Sequence, residues 1–176
     1  MTLQMIISGG QTGADRGALD AALEVGFPCG GWCPEGRKAE DGSIDGRYPL
    51  QVLPGAGYRK RTIRNIQDSD GTVIFCQGDP VGGSALTSAQ CQRLGKPCLV
   101  IDTSDYAPAR AAEILADALE RHRLGVLNVA GSSESRSPGI EAYVRATIGS
   151  LLEALTGSVP APRRRFQTHP SLDTSA

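Results

Sequence analysis

The chain has 176 residues, of which 40% are hydrophobic and 21% charged, and its formal net charge is −1. That length fits one domain able to bury a core without disulfide or metal staples. The even charge balance excludes a strongly basic nucleic-acid coat, and the composition excludes a disordered or collagen-like chain. Met5-Ile6-Ile7 predicts a buried strand, entered without a basic region or cleavage site, so no signal peptide is expected. The strand stops at Ser8-Gly9-Gly10. Leu19, Ala22 and Leu23 then follow helical spacing, with Gly26 as the C-terminal stop. Residues 28–32 form a short second strand. Residues 34–57 are dense in Gly, Pro and charge, too long for a plain connection, and point to a functional loop.

Residues 58–68 predict a helix with Ile63 and Ile66 inward and Arg59, Lys60, Arg61 and Arg64 mostly outward. Residues 72–76 form the clearest strand. It breaks over 78–83, and Ser84 is placed to cap a helix running to about Leu94. Gly95-Lys96-Pro97 closes that helix before a strand at 98–101. Ala111, Leu115, Ala118, Leu119 and His122 share one helical face, which assigns His122 to the core. Residues 126–129 give another strand, ending at Ala130-Gly131-Ser132-Ser133. Pro138 stands where the last helix should begin, and Ile140, Val144, Ile148, Leu151 and Leu155 stripe that helix. The reading is one domain over 1–156 and a tail over 157–176. Arg163-Arg164-Arg165 in that tail read as solvated charge, so neither nucleic acid nor membrane is an expected partner. No apolar run approaches the roughly 18 residues that span a bilayer.

Strand, loop and helix alternate about five times, which predicts an α/β fold with a doubly wound, mostly parallel sheet and helices on both faces. Ligands in such folds bind outside the carboxyl ends of the strands. Three Gly/Ser loops should open there: Gly9-Gly10-Gln11-Thr12-Gly13, Gly82-Gly83-Ser84, and Gly131-Ser132-Ser133-Glu134-Ser135. Free amides at helix starts favour an anion, so the three could converge on one phosphate-like group. Neither G-x-G-x-x-G nor G-x-x-x-x-G-K-[ST] occurs, which lowers the dehydrogenase and P-loop readings.

Asp15 either complements the first helix dipole or belongs to the site, and Arg16 could hold a phosphate in a bidentate fork. Arg37 and Lys38, in the run to Gly42, read either as solvated charge or as a lid bringing cations over the anion; the lid is preferred. Arg61, Thr62 and Asn65 lie near the start of the third helical segment, and Arg61 and Asn65 share a face. The five cysteines (Cys29, Cys33, Cys76, Cys91, Cys98) are expected as reduced thiols of a cytoplasmic protein. His122 and His169 do not space with them as zinc ligands, so no metal site is expected.

Several stretches together resemble the putative molybdenum carrier family, the molybdenum cofactor carrier proteins of the wider SLOG group. They are Ile7 to Arg16, Gly30 to Arg37, Ala39-Glu40-Asp41-Gly42, Arg61-Thr62 with Asn65, Asp68 to Thr72, and Leu127 to Ile140. The resemblance spans roughly residues 4–155. It implies a Rossmann-like domain that forms a homo-oligomer, dimer or tetramer, and carries molybdopterin-based molybdenum cofactor or a related small anion without transforming it. It also implies that the three Gly/Ser loops hold the ligand. Two departures from the family's pattern stand out. Glu35 occupies a position where a basic residue is common, and Ser132-Ser133 replace a common Pro-Arg; Arg136 is near enough in sequence to supply the missing cation.

A second branch of the group, the Lonely Guy phosphoribohydrolases, uses Pro-Gly-Gly-x-Gly-Thr-x-x-Glu. The corresponding stretch here begins at Val81-Gly82-Gly83 and has Ala89 in the Glu position. Hydrolysis of a nucleotide would need its carboxylate from Asp15 or Glu134 instead. The alternatives to a carrier are therefore a nucleotide-binding enzyme of this kind and a ligand sensor acting through a partner.

Overall fold

Alternate residues of each central strand face opposite sides, and this period of two sorts the core. Ile6, Val73, Phe75, Ile101, Leu127 and Val129 join one large apolar cluster with Ala and Leu residues of three helices. Between them, Thr72 and Asn128 stand opposite each other on adjacent strands and turn to the other face, where the Asn128 amide donates to the Thr72 hydroxyl at 3.1 Å. The computed structural model describes residues 3–157. The remainder of the expected tail, with its arginine run and His169, lies outside the described residues.

In chain order the elements are β1 (Met5–Ile7), α1 (Ala14–Glu24), β2 (Cys29–Gly30), β3 (Trp32–Cys33), a short 3-10 turn (Glu35–Arg37), β4 (Lys38–Ala39), β5 (Gly42–Ser43), β6 (Gln51–Val52), α2 (Tyr58–Asp68), β7 (Gly71–Cys76), α3 (Gly83–Arg93), β8 (Cys98–Asp102), α4 (Pro108–His122), β9 (Val126–Gly131) and α5 (Ile140–Gly157). The main sheet has five strands in the order β2-β1-β9-β7-β8, and every pairing is parallel. Helices α1, α4 and α5 pack on one face and α2 and α3 on the other. This is the doubly wound Rossmann-like α/β fold that the alternation predicts. The last strand, β9, inserts between β1 and β7, so the loops that follow these three central strands emerge side by side.

Local sequence explains most boundaries. Gly26, at φ 66°, ends α1 in the left-handed conformation that residues with a Cβ avoid, and the Phe27 N–H closes the turn on the Ala22 carbonyl at 2.8 Å. Three expectations change. His122 is exposed in the last turn of α4 instead of buried, because the apolar face of that helix ends at Leu119. Gly82, not Ser84, is the N-cap of α3, and no side-chain hydrogen bond caps it. Pro138 precedes α5 by two residues, in the turn that leads into it.

The segment 34–57 also has more packing than its composition suggests. Cys33, Ala39, Ile44, Tyr48 and Leu50 bury against Leu19 of α1 as a second, smaller cluster. Among the described residues no helix is long and apolar enough to cross a membrane.

Helices α1 and α5 pack tightly at Gly17, where a Cβ would collide with the Glu141 carbonyl oxygen and press on Val144. Gly17→Ala is therefore expected to destabilise the domain by about 2 kcal/mol in urea unfolding. Helix propensity alone predicts the opposite sign, a gain of about 1 kcal/mol.

Candidate functional site

The site starts from Gly9. With no side chain there, the Arg61 guanidinium lies across the backbone; a Cβ at Gly9 would overlap Nη1. Arg61 thereby crosses from α2 to the Asp15 carboxylate on α1, at 2.8 Å, with only 11% and 7% of the two side chains exposed. The Gln11 N–H donates to the same carboxylate at 3.2 Å. Arg61 Nε is buried without a hydrogen-bond partner among the described residues. The sequence places Arg61 on an outward stripe; the missing Cβ at Gly9 lets it turn in.

A cavity of about 340 Å³ opens beside this pair, over the carboxyl end of β9 and between α2 and α3. Gly9, Gln11 and Asp15 line it from the first loop, Arg61, Thr62 and Asn65 from α2, Gly83 and Ser84 from the first turn of α3, and Gly131, Ser132 and Ser133 from the third loop. All three expected loops thus meet at one place. Sequence reasoning missed Tyr58, Arg59, Val81, Leu86, Thr87 and Asn128 on its walls. Their helical phase relative to Arg61-Thr62 and Ser84 was the available signal. Arg136 also lines the cavity, and its guanidinium comes within 3.1 Å of where a Gly82 Cβ would stand, so it reaches from the third loop to the second. It supplies a cation where Ser132-Ser133 supply none.

Arg59, Arg61 and Arg136 face one carboxylate, Asp15, in this lining. Asp15 is already paired with Arg61, so the cavity keeps an excess of positive charge that an anion would balance. The first helix start contributes less than expected. The Thr12 N–H is taken by Gln11 Oε1 at 3.0 Å, the Gly13 N–H by Glu141 at 3.1 Å and the Ala14 N–H by the Ser132 carbonyl at 3.1 Å. The start of α3, where Gly83 and Ser84 line the cavity, is the helix end facing the space.

Gly10, Gly13, Gly82 and Glu134 lie outside the lining and have structural partners. Gly10 faces Leu50 and Ile44 under the long segment, so a side chain there would strike that cluster before any ligand. Gly13, at φ 83°, brings the start of α1 against the Ser132–Glu134 backbone. Gly82 sits beneath Arg136. The Glu134 carboxylate accepts the Gly139 and Glu141 N–H groups at 2.5 and 3.0 Å, fixing the turn into α5. Asn65 pins Trp32 through both of its backbone groups at 2.8 and 3.0 Å, besides lining the cavity.

Arg16 does form a bidentate fork, but with Asp41, at 2.5 and 2.8 Å, and this partner raises its pKa. Arg37 spends its guanidinium inside the long segment, on the carbonyls of Ile44, Leu50, Asp45 and Tyr48 at 2.7–3.2 Å, and Lys38 is exposed. What this segment presses onto the loops is carboxylates. Glu40 accepts from the Thr12 hydroxyl and from the Ser135 hydroxyl at 2.5 Å and N–H at 3.2 Å. These bonds, the Ser135 hydroxyl first, pull the Glu40 carboxyl down to about 2. Among the described residues no cluster of three or more His, Cys, Asp and Glu could hold a metal ion.

Residues 6–152 match the circularly permutated YpsA SLOG family. The chain belongs to that family. A solved structure, that of a putative molybdenum carrier protein from Syntrophus aciditrophicus SB, is 42% identical, with a TM-score of 0.83 over 86% of this chain and 96% of that one. No curated protein sequence matches this chain. The resemblance read from Ile7–Arg16, Gly30–Arg37 and Leu127–Ile140 is borne out at the level of family and fold.

Arg61→Ala should cost this SLOG domain about 3 kcal/mol, because it strands the buried Asp15 carboxylate, whereas Asp15→Ala with Arg61→Ala should recover part of that loss. A double-mutant cycle in urea checks it, and additive costs would dissolve the pair. The Glu40 carboxyl should titrate by carbon NMR near about 2 against an ordinary 4.5. Its folded pKa is depressed, so its contribution is complete above pH 4.5 and is lost as pH falls toward 2.

Proposed function

We propose that this SLOG domain binds an anionic, phosphate-bearing small molecule in the cavity beside Arg61, and that molybdenum cofactor is the ligand it carries. The excess of arginine over free carboxylate in the lining carries this reading. Arg59 and Arg136 line the cavity together with the start of α3, an arrangement suited to a terminal phosphate. Tyr58, Val81 and Leu86 give the same cavity an apolar wall for a flat ring system. A volume of about 340 Å³ lies within the usual small-molecule range. The neighbour's name as a putative molybdenum carrier protein supports a molybdenum-related ligand.

A carrier is favoured over a nucleotide hydrolase by the state of the two candidate carboxylates. Asp15 is tied to Arg61 and the Gln11 N–H, and Glu134 is turned away to the start of α5. Both act as anchors. A homo-oligomer, dimer or tetramer, is part of the same proposal, as is a cytoplasmic location.

Arg136 is exposed and makes no ion pair among the described residues, so Arg136→Ala should leave the fold intact. It is expected to weaken binding of purified molybdenum cofactor, measured without oxygen, by about tenfold at low salt. The difference should shrink at high salt. An unchanged affinity would take the ligand away from this cavity, and tighter binding of a nucleoside monophosphate than of the cofactor would favour the nucleotide reading.

A further inference from the structure

The alternation of side chains along β9 decides what the cavity floor offers a ligand. Val129 turns into the main core, so Asn128 and Ala130 turn toward α2 and α3, and both line the cavity. Asn128 is 3% exposed, yet only half of its amide is engaged. Its Nδ2 donates to the Thr72 hydroxyl at 3.1 Å, whereas Oδ1 has no hydrogen-bond partner among the described residues. Ser84 and Ser132 are also more than nine-tenths buried and line the cavity, and neither hydroxyl has a hydrogen-bond partner among the described residues. The remaining buried polar side chains of the lining are all engaged. Asp15 holds Arg61, both amide groups of Asn65 hold the Trp32 backbone, and Thr87 donates to the Gly83 carbonyl at 2.8 Å.

The hydroxyls of Ser84 and Ser132 can donate or accept, so they suit many ligands. Asn128 Oδ1 only accepts, and its demand is fixed. An ionised phosphate cannot meet that demand, because its oxygens also only accept. An apolar group would leave the buried carbonyl unpaired, at a cost. What completes it is an N–H.

We propose that Asn128 determines specificity by accepting a hydrogen bond from the exocyclic amino group of an aminopyrimidinone ring, the edge that pterins and guanine share. The amino group projects furthest from such a ring and reaches the floor first. Tyr58, Val81 and Leu86 suit the faces of the ring while Asn128 takes its edge. This inference rests on the ligand reading of the cavity and gives that ligand a direction. The ring edge lies on the β9 floor, and the phosphate lies toward Arg59, Arg136 and the start of α3.

The test uses the full chain and phosphate-free probes. Pterin should bind about tenfold tighter, by fluorescence titration, than the same pteridine without its amino group. Guanosine should displace bound pterin about tenfold better than inosine, which lacks the corresponding amino group. The tighter binder of pterin and guanosine identifies the source of the ring. In Asn128→Ala the preference for the amino-bearing member of each pair should vanish, and inorganic pyrophosphate, which has no N–H, should not distinguish the variant from the unaltered chain. No binding by any of these rings, equal binding within each pair on the unaltered chain, or a preference that survives in Asn128→Ala would each overturn the proposal. The comparisons on the unaltered chain decide the matter even where the variant does not fold. Pyrophosphate reports on the anion separately: if it fails to bind while the amino preference holds, the anion reading falls and the role of Asn128 stands.

Discussion

The Arg61–Asp15 pair is the contact on which the site depends. It spans α2 and α1 across the backbone of Gly9, and it is nearly closed to water. A pair so buried contributes little net stability when intact, since desolvation offsets most of the attraction. Its value lies in position. It holds α2 against the first loop, neutralises the one carboxylate in the cavity lining, and leaves Arg59 and Arg136 as the charge a ligand would meet. Without it, the lining would hold an unpaired carboxylate where the proposed anion would sit.

Around this pair the three loops form one interlocked frame. Ser8 ties the first loop to β9 through the Val129 carbonyl at 2.7 Å. Ser132 is tied to β7 through the Phe75 carbonyl at 2.9 Å. Glu40 then bridges Thr12 and Ser135 from above, and Asp41 secures Arg16. The long segment works as a clasp over the outer side of the first and third loops. The cavity itself lies between α2 and α3, and no residue of 34–57 lines it.

Much of this was legible before any coordinates. Apolar runs bounded by Gly gave the strands of the main sheet, because parallel central strands are buried on both faces and read as continuous apolar stretches. The bounds of α2 match the prediction at both ends. That the three loops share one edge follows from parallel strands; that they meet follows from the insertion of β9 between β1 and β7, which the sequence does not show. What could not be read were contacts decided by distance in space. Arg61 sits on an outward stripe and turns in only because Gly9 lacks a Cβ. The clasp's cations looked like ligand groups, yet Arg37 satisfies carbonyls of its own segment and Glu40 does the docking. The Leu19 cluster under residues 34–57 joins positions too irregularly spaced to give a period. Arg136 was identified as near in sequence, and only the turn over 133–139 places it on the cavity.

The most direct measurement is mass spectrometry with molybdenum analysis on protein purified without oxygen and never dialysed, alongside an Arg61→Ala sample prepared in the same way. The account predicts a pterin with near-stoichiometric molybdenum on the unaltered chain and its loss from the variant. A nucleotide without metal, or a pterin and metal retained equally by both samples, would contradict it.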